Sequence, residues 1–210
     1  MKMLVIGATG MAGSRIATEA VERGHDVAGV SRSGNAPEGV AGIAADVSDK
    51  AKLGEVVKGY DTVVVSMPPT RDGGDHRAEY LELFQNITEA VANGGVERLL
   101  IVGGAGGLEV APGELNMDQP GFPDAYKNES LASYDVYRWL VGVDRPDWVY
   151  IAPASLIAPG ERTGRYRTGT DELVVKDDGS SEISAEDFAI AVVDEAEKKA
   201  HHRERFSTGH

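Results

Sequence analysis

The sequence predicts an α/β domain built on a doubly wound parallel sheet, and three observations carry that expectation. Apolar runs of strand length alternate with segments of helical period through the first 152 residues. Several of these runs are apolar without a break, as a parallel sheet requires when helices cover both its faces. A glycine-rich turn joins the first run directly to the first helical segment. Strand–helix alternation of this kind winds helices onto both sides of one sheet.

Strands are expected at residues 3–7, 25–31, 42–45, 62–67, 98–103 and 148–152, and helices at 11–23, 48–58, 75–93 and 125–143. In the third helix Leu81, Phe84, Thr88 and Val91 share one face, with Leu83 and Ile87 beside them. After Pro153 the pattern changes to short glycine-punctuated pieces at 164–168, 172–175 and 178–180, followed by a helix over 185–199. Ser184 with Asp187 three residues on predicts a capping box, and Lys198 and Lys199 suit the negative end of that helix's dipole. The 210 residues fit one domain, with a core over 1–152 and a substrate-side elaboration over 153–210.

Composition narrows the function classes. Hydrophobic residues make up 41%, enough for a folded core. The absence of cysteine excludes disulfides, thiolate metal sites and cysteine nucleophiles, and no metal site is expected. The opening run Met1-Lys2-Met3-Leu4-Val5-Ile6 is too short for a signal peptide, and no stretch reaches membrane-span length. A cytoplasmic location without membrane attachment is therefore expected. Lys and Arg total 21 against 34 Asp and Glu, a net charge of −13. Such a chain repels a phosphate backbone, which argues against a nucleic-acid partner. Monomer and small homo-oligomer both remain open.

The strongest chemical signal is Gly7-Ala8-Thr9-Gly10-Met11-Ala12-Gly13, between a buried strand and an amphipathic helix. Gly7 suits a tight turn, Gly10 a close approach to a pyrophosphate, and Gly13 tight helix–strand packing. The helix N-terminus then offers free amides to the phosphates. This is the dinucleotide-binding arrangement of a Rossmann domain, and residues 7 and 9–13 are expected to hold the cofactor. Asp26 lies at the start of the second strand, far from the ribose. That strand ends Val30-Ser31-Arg32-Ser33, where a guanidinium beside hydroxyls suits a 2′-phosphate. NADP(H) is thus expected over NAD(H), through Ser31 and Arg32; the alternative is a solvated loop arginine.

Asp46 and Val47 follow the third strand, where the adenine lies in such folds. Asp46 reads equally as an acceptor for the adenine amine or as a cap on the helix starting near Ser48. Ser66, Met67 and Pro68 close the fourth strand, and Gly103 and Gly104 the fifth. Carboxyl ends of central strands are where open α/β sheets bind ligands, and glycines there let a flat ring lie against the backbone. Pro153 closes the last strand of the core and is placed in the same group.

The spacing Gly-x-x-Gly-x-x-Gly resembles the extended and atypical short-chain dehydrogenase/reductases. Further motifs run nearly end to end: Val102-Gly103-Gly104-Ala105-Gly106, Asp147-Trp148, Pro153-Ala154-Ser155, Pro159-Gly160-Glu161-Arg162-Thr163-Gly164, Ile183-Ser184-Ala185-Glu186-Asp187-Phe188-Ala189 and Arg205-Phe206. With these the chain resembles the NADH-flavin reductase family, related to the biliverdin/flavin reductases. The resemblance implies hydride transfer from a nicotinamide to free FMN, FAD or a quinone-like small molecule. It brings no acid–base set. The loop after the fifth strand carries only Gly and Ala where the superfamily's best-known branch has a serine, and the nearest Tyr-x-x-x-Lys analogue pairs Tyr134 with Arg138. The related reductases place a histidine where Ser155 falls, and the resemblance makes Ser155 a substrate-side candidate.

Hydride transfer to a flavin asks chiefly for alignment, whereas carbonyl reduction wants a proton donor; Tyr126, Tyr134 and His76 are lone candidates. Arg162, Arg165 and Arg167 concentrate positive charge in an acidic chain. Arg162 is read either as a grip on an anionic acceptor or as a structural ion pair. The expected activity is an NADPH-preferring flavin or quinone reductase. The rivals are a redox sensor that binds the dinucleotide without turnover, and an epimerase or isomerase.

Overall fold

The computed structural model describes every residue except Gly73. In chain order the elements are β1 (Lys2–Ile6), α1 (Met11–Glu22), β2 (Asp26–Ser31), β3 (Ala41–Ala44), α2 (Lys50–Val56), β4 (Thr62–Val65), α3 (Arg77–Asn93), β5 (Arg98–Val102), β6 (Glu109–Ala111), β7 (Glu114–Leu115), α4 (Lys127–Leu140), β8 (Asp147–Ala152), β9 (Leu156–Ala158), β10 (Arg167–Gly169), β11 (Glu182–Ser184), α5 (Ala185–Lys198) and β12 (Glu204–Gly209). Eight strands form the main sheet in the order β10-β12-β8-β5-β4-β1-β2-β3. Every pairing in it is parallel except β10 with β12.

Alternation along the strands makes two cores. Leu4, Ile6, Val63, Val65, Leu99 and Ile101 pack toward α2, α3 and α4, among Leu53, Phe84, Ile87 and Val136. Met3, Val5, Val64, Leu100 and Val149 face the other way, onto Ile16 and Ala20 of α1 and Phe188 and Val192 of α5. A two-residue side-chain period on strands buried on both faces yields these unbroken apolar runs. The doubly wound Rossmann sheet expected from the sequence is therefore present.

Several local expectations need correction. The second helix starts at Lys50, and its cap is Asp49, whose side chain accepts from Lys52 N. Asp46 instead accepts from Ser48 N at 2.9 Å and Ser48 Oγ at 2.7 Å, a closed turn one step upstream. The capping box at Ser184 is half formed. Ser184 Oγ accepts from Asp187 N at 3.0 Å, but the Asp187 carboxylate takes Thr163 Oγ1, Gly164 N and His210 Nε2 rather than turning back. The short piece at 172–175, to which no secondary structure was assigned, makes a single bridge from Glu172 to Glu109.

Residues 153–210 help to build the sheet itself. Their strand β12 lies beside β8 and extends the sheet, while α5 packs along α1. Arg98 at the start of β5 is 1% exposed and joins Asp147 and Glu195, so this segment is also tied to the core by buried charge.

Candidate functional site

From β1 the chain continues through β2 and β3 on one side, and β4, β5 and β8 lie on the other. The order therefore reverses between β1 and β4, and open α/β sheets bind ligands outside such a switch point. A cleft of about 840 Å³ opens there. Its floor is Gly10–Ala12 after β1, Ser66–Pro69 after β4, Val102–Gly106 after β5 and Pro153–Ile157 after β8; residues 116–126 wall one side.

The glycine loop shows why the sequence must fold this way. Gly7 has φ +85°, and a Cβ there would sit 2.2 Å from Ser66 O. A Cβ on Gly13 would lie 2.2 Å from Gly7 O, so α1 rests directly on the turn. Gly10 caps α1 with no side-chain bond, and the first helical bond runs from Ser14 N to Gly10 O. The amides of residues 11–13 thus lack helical acceptors, and no acidic residue occupies the first turn. An unblocked, positively polarised helix end beside a cleft fits a pyrophosphate.

Met11, Ala12, Met67, Pro68, Gly103, Gly104, Pro153 and Ser155 line the cleft together with Gly10 and Ser66. Gly7 and Gly13 act from behind it, through backbone shape, and the Thr9 side chain is exposed beside them. Two buried phenols peg the floor in place. Tyr80 donates to Met67 O at 2.7 Å. The Tyr150 hydroxyl accepts from Gly104 N at 3.2 Å and donates to Ser133 O at 3.1 Å. Burial pushes the Tyr150 phenol up to about 12 and Tyr80 well above its ordinary value, so both keep their protons at neutral pH.

Ser31, Arg32, Asp46 and Val47 lie apart from this cleft, at the carboxyl ends of β2 and β3, where Ala45 N bonds Ser31 O. Ser31 Oγ donates to Asn35 O at 2.7 Å, and Ser33 Oγ accepts from Asn35 N. Both hydroxyls are thus partly spent on their own turn. The Arg32 side chain is exposed and makes no hydrogen bond or ion pair among the described residues. Asp46 is held below its usual value by the Ser48 amide first, then the Ser48 hydroxyl, with a smaller pull from Arg32.

Arg162 is committed elsewhere. Its guanidinium bonds both oxygens of Glu19 on α1, at 2.8 and 2.9 Å, and it lines no part of the cleft. The structural ion pair is the alternative the geometry realises. Tyr134 packs its ring against Gly107 and Tyr137, away from the cleft, and His76 bonds Asp72. The side of α4 turned to the cleft is Tyr126, Glu129, Ser130 and Ser133. Their i, i+3, i+4, i+7 spacing was readable as one stripe of the expected helix. The wall formed by Asn116, Gln119 and Phe122 had no comparable signal. Asn116 fixes it by donating to Ala105 O and Ser155 Oγ.

Residues 7–199 match the protein family described as NAD(P)H-binding. The chain belongs to this NAD(P)H-binding family. Solved structures of similar chains agree along the full length. A proposed exported protein of Burkholderia pseudomallei is 44% identical, with TM-score 0.92 and all of both chains covered. A proposed epimerase of Bacteroides thetaiotaomicron is 37% identical, with TM-score 0.91, covering 100% of this chain and 96% of that one. A proposed NADH-flavin reductase of Streptococcus pneumoniae is 31% identical, with TM-score 0.89, covering 100% and 99%. The resemblance expected from the motifs is thus matched in solved structures, and the cleft belongs to an NAD(P)H-binding protein. No described helix is long and apolar enough to cross a membrane.

Proposed function

We propose that this NAD(P)H-binding protein is an NADPH-preferring reductase, acting in the cytoplasm, that passes hydride to a free flavin or a quinone-like acceptor. The observation that carries the reading is the make-up of the cleft. One end has a glycine floor against which a nicotinamide ring fits, and the other joins the apolar surface of Phe122 and Leu156 to the amides of Asn116 and Gln119, with no serine–tyrosine–lysine set. The dihydronicotinamide, when bound, supplies two electrons and one proton as hydride. The chain's share is placement: Ser66–Pro69 and Gly103–Gly104, pegged by Tyr80 and Tyr150, fix the plane on which the ring rests, within roughly 3–3.5 Å of the acceptor. An acceptor reduced at a flavin nitrogen takes its further proton from water, so the cleft needs no dedicated acid. The 31% identical S. pneumoniae structure supports the same reading.

Arg32 is the proposed 2′-phosphate grip, because its guanidinium is uncommitted and no acid ends β2. Losing one charge-assisted pair costs on the order of 1.5–3 kcal/mol, roughly ten- to a hundredfold. Arg32→Ala should therefore weaken NADPH by that factor and leave NADH nearly untouched, as measured by titrating both cofactors. Equal loss for the two overturns the preference. Oxidation of NADPH is then followed with FMN, FAD, a quinone and a panel of small carbonyls. Turnover with the flavins or quinone, insensitive within tenfold to Tyr134→Phe, is expected, since positioned acid catalysis is worth roughly 10²–10⁴-fold. Tight NADPH binding with no turnover of any acceptor would make the protein a redox sensor instead.

A second reading, an epimerase, draws on the 37% identical B. thetaiotaomicron relative and on Tyr126 and Ser130 facing the cleft. It requires a nicotinamide that co-purifies and is not consumed.

A further inference from the structure

The acceptor end of the cleft carries an unusual balance of charge. Among the described residues lining it, Arg71 and Glu129 are the only charged ones. They cancel each other. Arg71 Nε and Nη2 donate to the two carboxylate oxygens of Glu129 at 2.8 and 2.6 Å, a fork-to-fork pair linking the loop after β4 to α4. An adjoining cavity of about 320 Å³ shares Arg71, Tyr126 and Glu129 with the cleft and adds Asp124, so it holds two carboxylates against one guanidinium. Neither space offers an uncommitted cation. The rim there is apolar: Tyr126 and Leu156 line the cleft while 52% and 57% exposed.

Resting on the reductase reading, we propose that this end selects a flat, uncharged acceptor, a bare isoalloxazine or a quinone, and discriminates against phosphorylated flavins, with Glu129 as the specificity determinant. A phosphate entering here meets a guanidinium whose fork is already filled and a carboxylate that repels it. An uncharged ring loses nothing by the pairing and gains the apolar surface of Tyr126, Phe122 and Leu156. Glu129 thus acts against the wrong ligand as well as for the right one.

The test uses the full chain saturated with NADP+, so that binding is read without turnover. Riboflavin and FMN are titrated by quenching of their own fluorescence, and menadione by competition with riboflavin. Riboflavin should bind at least tenfold more tightly than FMN. Glu129→Gln, which keeps a hydrogen bond to Arg71 but removes the opposing charge, should narrow that ratio at least fivefold. Adding Arg71→Ala to Glu129→Gln should widen it again. FMN binding as tightly as riboflavin, a ratio unmoved by Glu129→Gln, or no binding of any of the three probes overturns the proposal. Selective riboflavin binding without NADPH oxidation supports the selectivity while removing the reductase reading, so the two fail separately.

Discussion

Replacing Gly13 with alanine separates helix propensity from the geometry of the cofactor turn. Propensity favours the change, since Gly inside a helix costs roughly 0.5–1 kcal/mol against Ala. The structure opposes it. The new Cβ would lie 2.2 Å from Gly7 O, 2.9 Å from Gly7 C and 3.3 Å from Ser66 Cβ. Ordinary contact begins near 3.4 Å, so α1 must lift by about 1.2 Å (3.4 less 2.2), and the obstacle is backbone rather than a mobile side chain. Overpacking of this kind costs roughly 1–3 kcal/mol. Taking its upper end against the propensity gain leaves a net loss of about 2 kcal/mol, or about 4–8 °C in Tm for a chain of this size. The same lift carries the amides of residues 11–13 away from the pyrophosphate, and NADPH affinity should fall at least tenfold. Gly54 in α2 is the control, because a Cβ there meets nothing within 4 Å. Gly54→Ala should raise Tm by about 1–4 °C and leave NADPH binding alone. Thermal denaturation and fluorescence titration read both effects. A Gly13→Ala protein with unreduced Tm and NADPH affinity within twofold of wild type would refute the reasoning.

Two further perturbations probe charge. Arg98→Met leaves the Glu195 carboxylate, 3% exposed, without its main cation and should cost roughly 3–5 kcal/mol in urea denaturation; adding Glu195→Gln should recover a good part of that. A full-strength Arg98→Met protein would remove the buried pair from the account. Arg162→Ala addresses acid stability. Hydrogen bonds from Arg162, ahead of burial acting the other way and of Arg23, hold Glu19 below its usual 4.5. A lowered folded value contributes stability above pH 4.5 that is lost as pH falls through it. The gap between wild type and Arg162→Ala should therefore be full near neutrality and close in acid below about pH 4, with acceptor kinetics unaffected. Parallel stability curves from pH 3 to 7 would contradict this.

How much was legible in the sequence depended on whether backbone or side chains build the feature. The two-faced burial of β1, β4 and β5 writes itself as continuous apolar runs, and the glycine loop is demanded by contacts that no side chain would survive. Strand β12 escaped notice because Ser207 and Thr208 read as polar surface. Both are fully buried, their hydroxyls donating to Glu172 O and Ala152 O. Asp46 was read as one candidate cap, but α2 starts later, at Lys50, and Asp49 takes that place. Arg162 sat in a basic cluster whose purpose depended on Glu19, 143 residues away in the chain. The cleft wall at residues 116–126 was hidden for the same reason, since its position follows from Asn116 reaching Ala105 and Ser155.

The cleft's two ends differ in how freely they can change over generations. At the glycine end, the turn and the cleft floor are shaped by Gly7, Gly13 and Gly103, where any side chain collides with Ser66 O, Gly7 O or the Tyr150 ring at 2.1–2.2 Å. Mutation there meets a steep penalty. Across the cleft, Gln119, Phe122, Tyr126 and Leu156 present side chains from a loop and strand margin, and exchanging them leaves the sheet intact. A lineage can thus keep one nucleotide-binding end while the opposite wall drifts.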